Sequence, residues 1–323
     1  MTLVVLADTK ENSGRELDLE RSILGADVEL VEYVCDGNED KLAAACVDAD
    51  VILTAFSPLT RFVIGKLQRC RLISVLATGY GNVDLEAAAS AGIRVCAIDE
   101  YCTDEVADHA ILLMLALSRR LIEYHGQIQA EKRWQFDSLQ GLSRMSDLTL
   151  GIVGFGRIGQ AVARRAKGFG LSILACDPHP DEDVAANIGV RCCTLDELYS
   201  SSDIISLNCG LTSENEHLID TRAFQKMKRR PLIINCARGA LIDEEALVKA
   251  LDTGQISGAG LDVLTDESPK LGSSKLIGRP NVILTPHVAF YSDASMLDNR
   301  RISTANVRNF LDGNDDDVRR YVQ

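Results

Sequence analysis

Short runs of β-branched and other apolar residues recur along the chain in two sets, separated by longer segments rich in Ala, Leu, Glu and Lys. The first set is LVVL (3–6), DVILTAF (50–56), LISVLAT (72–78) and RVCAI (94–98). The second is TLGIVG (149–154), SILACD (172–177), DIISLN (203–208), LIINCA (232–237), SGAGLDV (257–263) and NVILTPH (281–287). Strand-like runs alternating with helical segments predict parallel βαβ winding. The expected fold class is therefore α/β, with two doubly wound parallel-sheet domains, flavodoxin-like and Rossmann, and a cleft between them. Between the two sets, CTDEVADHAILLMLALSRRL (102–121) predicts a long helix capped by Thr103, with Asp104 and Glu105 in its first turn and Arg119 and Arg120 in its last. Its apolar stripe is Val106, Ala110, Leu113, Leu117 and Leu121. From Ser292 onward the pattern is helical with no further strand, so this tail is expected to return to the first domain. The expected domains are residues 1–98 plus 293–323, and an inserted unit at 99–292.

The inserted unit opens on GIVGFGRIG (151–159), a strand, a glycine turn and a helix with Ile158, Val162 and Ala166 on one face. Gly154, Gly156 and Gly159 occupy the three glycine positions of a dinucleotide fingerprint. They allow a tight turn, close approach to a pyrophosphate and packing of helix on strand, while the helix N-terminus favours the phosphates. The next strand ends at Asp177, an acceptor for ribose hydroxyls that would repel a 2′-phosphate, so NAD is expected rather than NADP.

Ligands bind beyond the C-terminal ends of parallel strands. In the second set those ends carry Arg238, Asp262 with Glu267 shortly after, and His287. A guanidinium matches the paired oxygens of a 2-oxo acid, and an imidazole titrates near working pH, so Arg238 suits the substrate and His287 the proton. Glu267 on the other ring nitrogen would fix the tautomer, and Asp262 would hold a nicotinamide carboxamide.

Composition narrows the alternatives. The chain has 323 residues, 46% of them hydrophobic, and a net charge of −13, with no basic run longer than KMKRR (226–230). No nucleic acid partner is expected. The longest charge-free apolar stretch, Ala110–Leu117, is too short for a bilayer, and MTLVVLADTKE lacks a basic leader, so no membrane association and a cytoplasmic location are expected. The ten cysteines show no C-x-x-C and are read as reduced thiols rather than disulfides or metal ligands; no metal is expected.

INCARGALIDEEAL (234–247), AGLDVLTDES (259–268) and TPHVAFYS (285–292), with GFGRIG and ATGYGNVDLEAA (77–88), resemble the D-2-hydroxyacid dehydrogenase family over essentially the whole chain. The resemblance implies a catalytic set of Arg238, Glu267 and His287. It also implies NAD contacts from Gly154, Phe155, Gly156, Arg157 and Ile158 of the glycine loop, and from Thr78, Asp177 and Asp262. Cys209, Gly210 and Thr212, with Cys236 and Ala237, would line the cofactor groove. The Thr78–Gly79 loop would offer backbone N–H groups to the substrate carboxylate, and the homodimer would form through the NAD domains. LNCGLTSENEHLI (207–219) and TPHVAFYS are most similar to the branch that contains the C-terminal-binding-protein co-repressors, which carry Trp where Phe290 stands. The chain departs from the family pattern at Gly81-Asn82, where Asp-Asn is common, and at Ser268, where Pro is usual. Members that oxidise phosphoglycerate carry arginines where Thr54 and Val75 stand, and formate-oxidising members carry Gln at the Glu267 position. Phe56, Tyr80, Phe290 and Tyr291 suit a moderately apolar pocket, so a small or apolar 2-oxo acid is the expected substrate. The alternatives are an NADH-sensing binding protein of the co-repressor kind and a phosphoglycerate dehydrogenase.

Overall fold

The computed structural model describes residues 1–10, 13–14, 16–266 and 269–322. The chain divides into two compact units, Met1–Tyr101 with Ser292–Gln323, and Cys102–Tyr291.

The first unit is built on a parallel five-stranded sheet: β1 (Thr2–Thr9), β2 (Val28–Cys35), β3 (Val51–Thr54), β4 (Leu72–Val75) and β5 (Arg94–Ala97). Their order is β2-β1-β3-β4-β5, the flavodoxin-like winding. Successive residues of a strand point to opposite faces, and both faces here are apolar. Val5, Ala7, Ile52, Ile73 and Val95 join one core cluster, while Val4, Leu6, Val51, Leu53 and Leu72 join another. Strand β2 is absent from the pattern read above. It lies at the sheet edge, where Glu29 and Glu32 interrupt the apolar run and point to solvent or half-exposed positions.

Helix Asp293–Leu311 belongs to this unit. Ser292 and Ser295 form a reciprocal cap at its start, each hydroxyl accepting the other's backbone N–H. Asn299 Nδ2 donates to Leu76 O at 2.6 Å and Ser74 donates to Ser303 O at 3.2 Å, so the helix is stitched to β4 and the loop beyond it. After this helix the chain does not stay free of strand pairing, contrary to expectation. Tyr321 forms an isolated antiparallel bridge with Cys96 of β5. A single bridge beside Arg319 and Arg320 leaves no apolar run to read.

The second unit has seven parallel strands: β6 (Thr149–Val153), β7 (Ser172–Cys176), β8 (Arg191–Cys192), β9 (Ile204–Leu207), β10 (Leu232–Asn235), β11 (Gly258–Leu261) and β12 (Val282–Leu284). The order β12-β11-β10-β9-β6-β7-β8 is a Rossmann winding with a further strand, and its direction of progression reverses between β6 and β9. Strand β8 has only two residues, too few to register as an apolar run. Helix Thr103–Ser118 packs against β10, β11 and helix Arg157–Lys167 through Val106, Ala110, Leu113 and Leu117. Thr103 is its first helical residue and not its cap: Cys102 holds the N-cap position, and no side chain there accepts a hydrogen bond. The helix also stops before the two arginines. Arg120 takes φ +50° and pairs with Glu123, which starts a separate helix, Leu121–Gly126, and leaves Leu121 exposed.

Candidate active site

Strand β6 enters helix Arg157–Lys167 through the glycine turn. Gly154 has φ +88°, and a Cβ there would lie 2.7 Å from the Cys209 nitrogen, so the backbone beyond β9 packs directly on the turn. A Cβ on Gly159 would lie 2.1 Å from the Gly154 carbonyl oxygen, which requires the closest packing of helix on strand. At Gly156, by contrast, a Cβ would meet nothing within 4 Å. Gly156 is the N-cap of helix Arg157–Lys167, and a helix N-terminus favours an anion such as a phosphate.

Asp177, just past β7, accepts the Phe155 N–H at 2.7 Å on one carboxylate oxygen and the His179 N–H at 2.9 Å on the other. The carboxylate thus ties the glycine turn to the second strand and keeps lone pairs for further donors. Across the switch point, Asn208 donates to Ser206 O and Oγ, while its own buried Oδ1 has no partner. Asn215 accepts the Thr212 N–H and donates to Gly210 O, both at 2.7 Å, which shapes the loop containing Cys209, Gly210 and Thr212. An open turn at a helix N-terminus, a carboxylate past the second strand and an unsatisfied amide oxygen together fit a dinucleotide such as NAD.

Three neighbouring strands carry the chemical groups. Asn235, Leu261 and Leu284 are aligned across β10, β11 and β12, so the loops bearing Arg238, Asp262 and His287 leave one edge of the sheet side by side. Asn235 shapes the first loop by accepting the Ala237 N–H at 3.0 Å and donating to Arg238 O at 2.9 Å. Gly239 then allows the next loop to lie against it, since a Cβ there would sit 2.0 Å from the Leu264 carbonyl carbon. Cys236 is buried beside Asp262; burial first, then that charge, pushes its thiol well above the ordinary range. Arg238 and His287 are both half-buried. Glu267 lies outside the described residues.

His287 stands in the left-handed region at φ +52°, uncommon for a side chain with a Cβ, and the network beneath it fixes that geometry. Its N–H donates to Asp262 O at 2.8 Å. The Asp262 carboxylate, fully enclosed, accepts the Val288 N–H at 2.9 Å, the Ala289 N–H at 2.8 Å and the Thr285 hydroxyl at 2.5 Å. Thr285 has a single hydroxyl proton and gives it to Asp262, so its lone pair accepts from His109 Nε2 at 3.0 Å. The His287 ring meets Phe290 edge-on at 5.8 Å.

In the first unit, the half-buried loop Ala77–Tyr80 follows β4. Ile98 N–H donates to Ala77 O at 3.1 Å and Val83 N–H to Tyr80 O at 3.1 Å, while Tyr80 packs on the apolar core. Thr54 and Val75 are fully buried in the sheet, and the Phe56 ring is exposed.

Asn208, Asn215, Gly239, Thr285 and His109 escape a reading that looks for titratable groups at strand ends. The polar Thr285 before Pro286, and a histidine within an otherwise apolar helix face, are the signals that point to the last two.

Residues 111–289 match the family model described as D-isomer specific 2-hydroxyacid dehydrogenase, NAD binding domain. The chain is 36% identical to the hydroxypyruvate reductase of Blautia hydrogenotrophica over 82% of its length and 83% of that protein. It is 33% identical to the D-lactate dehydrogenase of Escherichia coli over 94% of its length and 95% of that protein. Among solved structures, the D-lactate dehydrogenase of Aquifex aeolicus complexed with NAD and lactic acid superposes with a TM-score of 0.87 at 30% identity, covering 98% of each chain.

Proposed function

This chain belongs to the D-isomer specific 2-hydroxyacid dehydrogenase family, and from that premise we propose that it reduces small or apolar 2-oxo acids, with Arg238, Glu267 and His287 as its catalytic groups. It is an NAD-dependent oxidoreductase acting on the CH–OH group of 2-hydroxy acids. The observation that carries the assignment of groups is the alignment of β10, β11 and β12, which sets Arg238 and His287 on either side of Asp262.

NADH, when bound, supplies the hydride that adds to C2. Arg238 forks onto the paired oxygens of the 2-oxo acid and offsets the charge that grows on the carbonyl oxygen. His287 donates a proton to that oxygen, and Glu267 is proposed on its second ring nitrogen, where it fixes the tautomer. The N–H groups of Thr78 and Gly79 receive the substrate carboxylate. Asp262 accepts three donors from the His287 loop and so holds that loop, and its carboxylate keeps a lone pair for the nicotinamide carboxamide. The cofactor contacts are Gly154–Ile158, Asp177, Cys209, Gly210, Thr212, Cys236, Ala237 and Asp262, with Thr78 near the nicotinamide. Thr54 and Val75 supply no cation for a phosphate, which disfavours phosphoglycerate. The relatives named above are reductases and dehydrogenases, which disfavours a sensor that binds protein partners.

A homodimer is the proposed assembly, through the segment after helix Thr103–Ser118. There Trp134 is 90% exposed and Phe136 89%, and neither helix Leu121–Gly126 nor the π-helical turn Gln127–Glu131 buries a residue. Sedimentation of Trp134→Ala against the parent reads this: an unaltered monomer–dimer balance would exclude the segment. A cytoplasmic location is proposed from the same family membership; among the described residues no helix is long and apolar enough to cross a membrane.

The central test follows NADH absorbance with glyoxylate, hydroxypyruvate, pyruvate and larger 2-oxo acids. Turnover is expected with NADH in preference to NADPH, and His287→Ala should lower kcat by about 100-fold or more. Turnover that survives His287→Ala unchanged would overturn the assignment.

A further inference from the structure

We propose that Arg320 is a positioning residue for the substrate carboxylate, acting through the Thr78–Gly79 peptide. The inference rests on the reading that this loop receives the carboxylate.

The C-terminal segment that carries Arg320 is pinned on both sides. Arg319 N–H donates to Asn306 Oδ1 at 2.9 Å, Ala97 N–H to Arg320 O at 3.1 Å, and Val322 N–H to Val95 O at 3.1 Å. Tyr321 lies under the Arg94 guanidinium, 3.8 Å from ring centroid to carbon, and its hydroxyl donates to Asp315 at 2.9 Å. Between these anchors Arg320 adopts φ +54°, a conformation uncommon for a residue with a Cβ. Its guanidinium lies 5.5 Å from the Tyr80 ring centroid, and Nη1 donates to Thr78 O at 3.2 Å.

That carbonyl and the Gly79 N–H are the two ends of one planar, conjugated amide. A cationic donor on the oxygen draws electron density toward it and makes the N–H at the other end a stronger donor. The positive charge adds its own attraction for an arriving carboxylate. Tyr80 contributes a face on which the guanidinium stacks, and this selects Arg over Lys for the position. Because Arg320 is exposed, solvent screens its charge and the effect is modest.

The test uses the full chain with NADH, a 2-oxo acid that it turns over, and the methyl ester of that acid. Arg320→Gln should raise KM for the acid about five- to tenfold, leave kcat within about twofold and leave the Kd for NADH unchanged. KM for the ester should not move. Arg320→Lys, which keeps a cation but loses the planar fork, should recover part of the preference for the acid. Equal fractional changes for acid and ester, or a fall in kcat with KM constant, would overturn the proposal, because a merely structural strap acts that way. The parent protein separates the two levels of failure. If it does not distinguish acid from ester, the reading of the Thr78–Gly79 loop fails. If it prefers the acid and both Arg320 variants keep that preference in full, only the role of Arg320 fails.

Discussion

Asp8 and Asp262 stand near strand ends in the two sheets, use the same device and hold different groups in place. Asp8, fully buried near the end of β1, accepts the N–H groups of Ala55 and Phe56 at 2.9 and 3.0 Å, just beyond the neighbouring β3. Asp262, equally buried beyond β11, accepts those of Val288 and Ala289 beyond the neighbouring β12. In each case a carboxylate receives two successive backbone donors from the loop leaving an adjacent strand. Such charge-assisted bonds in an enclosed setting fix a loop more firmly than neutral ones. The loop held by Asp8 presents an exposed phenyl ring, and the loop held by Asp262 presents His287. Burial of an aspartate at a strand end marks a fixed loop, and what the loop carries decides whether chemistry depends on it.

The largest expected effect separates those two outcomes. Asp262→Asn and Asp8→Asn each turn one acceptor oxygen into a donor that faces a backbone N–H. Each should cost about 1–3 kcal/mol in denaturant unfolding, because a buried donor loses its partner. Their activities should diverge. With His287 displaced by a fraction of an ångström, Asp262→Asn should lose about 100-fold in kcat, while Asp8→Asn stays within about threefold. Parallel kinetic and unfolding measurements on the two variants read both quantities. Equal loss of kcat in both would break the comparison.

The extent to which this was legible in the sequence follows the same division. Strands buried on both faces, such as VILT (51–54) and LIIN (232–235), appear as apolar runs, and so most of both sheets could be read directly. Edge strands could not: β2 is broken by Glu29 and Glu32, and the pairing of residues 318–322 with β5 involves too few residues to leave a pattern. The glycine fingerprint and the strand-end groups Arg238, Asp262 and His287 were visible because their spacing relative to strand ends is local. Asp8 was visible only as an acid at the end of an apolar run. Its bonds to Ala55 and Phe56 reach 47 and 48 residues along the chain, and no local pattern records a contact of that span. His109 escaped for the same reason, since its partner Thr285 lies 176 residues away.

A smaller effect is expected from the hydroxyls beside the two carboxylates. Thr285→Val removes, at nearly constant volume, the group that joins His109 to Asp262. It should lower kcat about tenfold and stability by about 1 kcal/mol. Thr54, at the end of β3, accepts the Ser57 N–H at 3.2 Å just before the residues held by Asp8. Thr54→Val should cost a similar stability with kcat within about twofold. Equal kcat in Thr285→Val and Thr54→Val would mean that the Thr285 hydroxyl does not help to hold His287.

The smallest effect concerns stability alone and leaves activity at neutral pH unchanged. In the unit that holds Asp8, Cys96 and Cys46 are fully buried, and burial pushes their thiols up to about 11 and about 12 from an ordinary value of 9.0. The sign follows from which state keeps its proton. Below pH 9 both folded and unfolded thiols are protonated, so stability does not depend on them. Above pH 9 the unfolded chain loses these protons while the folded chain retains them, and stability falls by about 1.4 kcal/mol per pH unit for each thiol. The decline from Cys96 ends near pH 11 and that from Cys46 near pH 12. Urea unfolding of the parent between pH 8 and 11 should show this slope, and Cys96→Ala should remove its share of it. In the other unit Cys236 is raised chiefly by burial and then by the Asp262 charge, so Cys236→Ala should likewise remove its own share of the slope. An alkaline slope identical in the parent, Cys96→Ala and Cys236→Ala would mean that neither buried thiol is linked to folding.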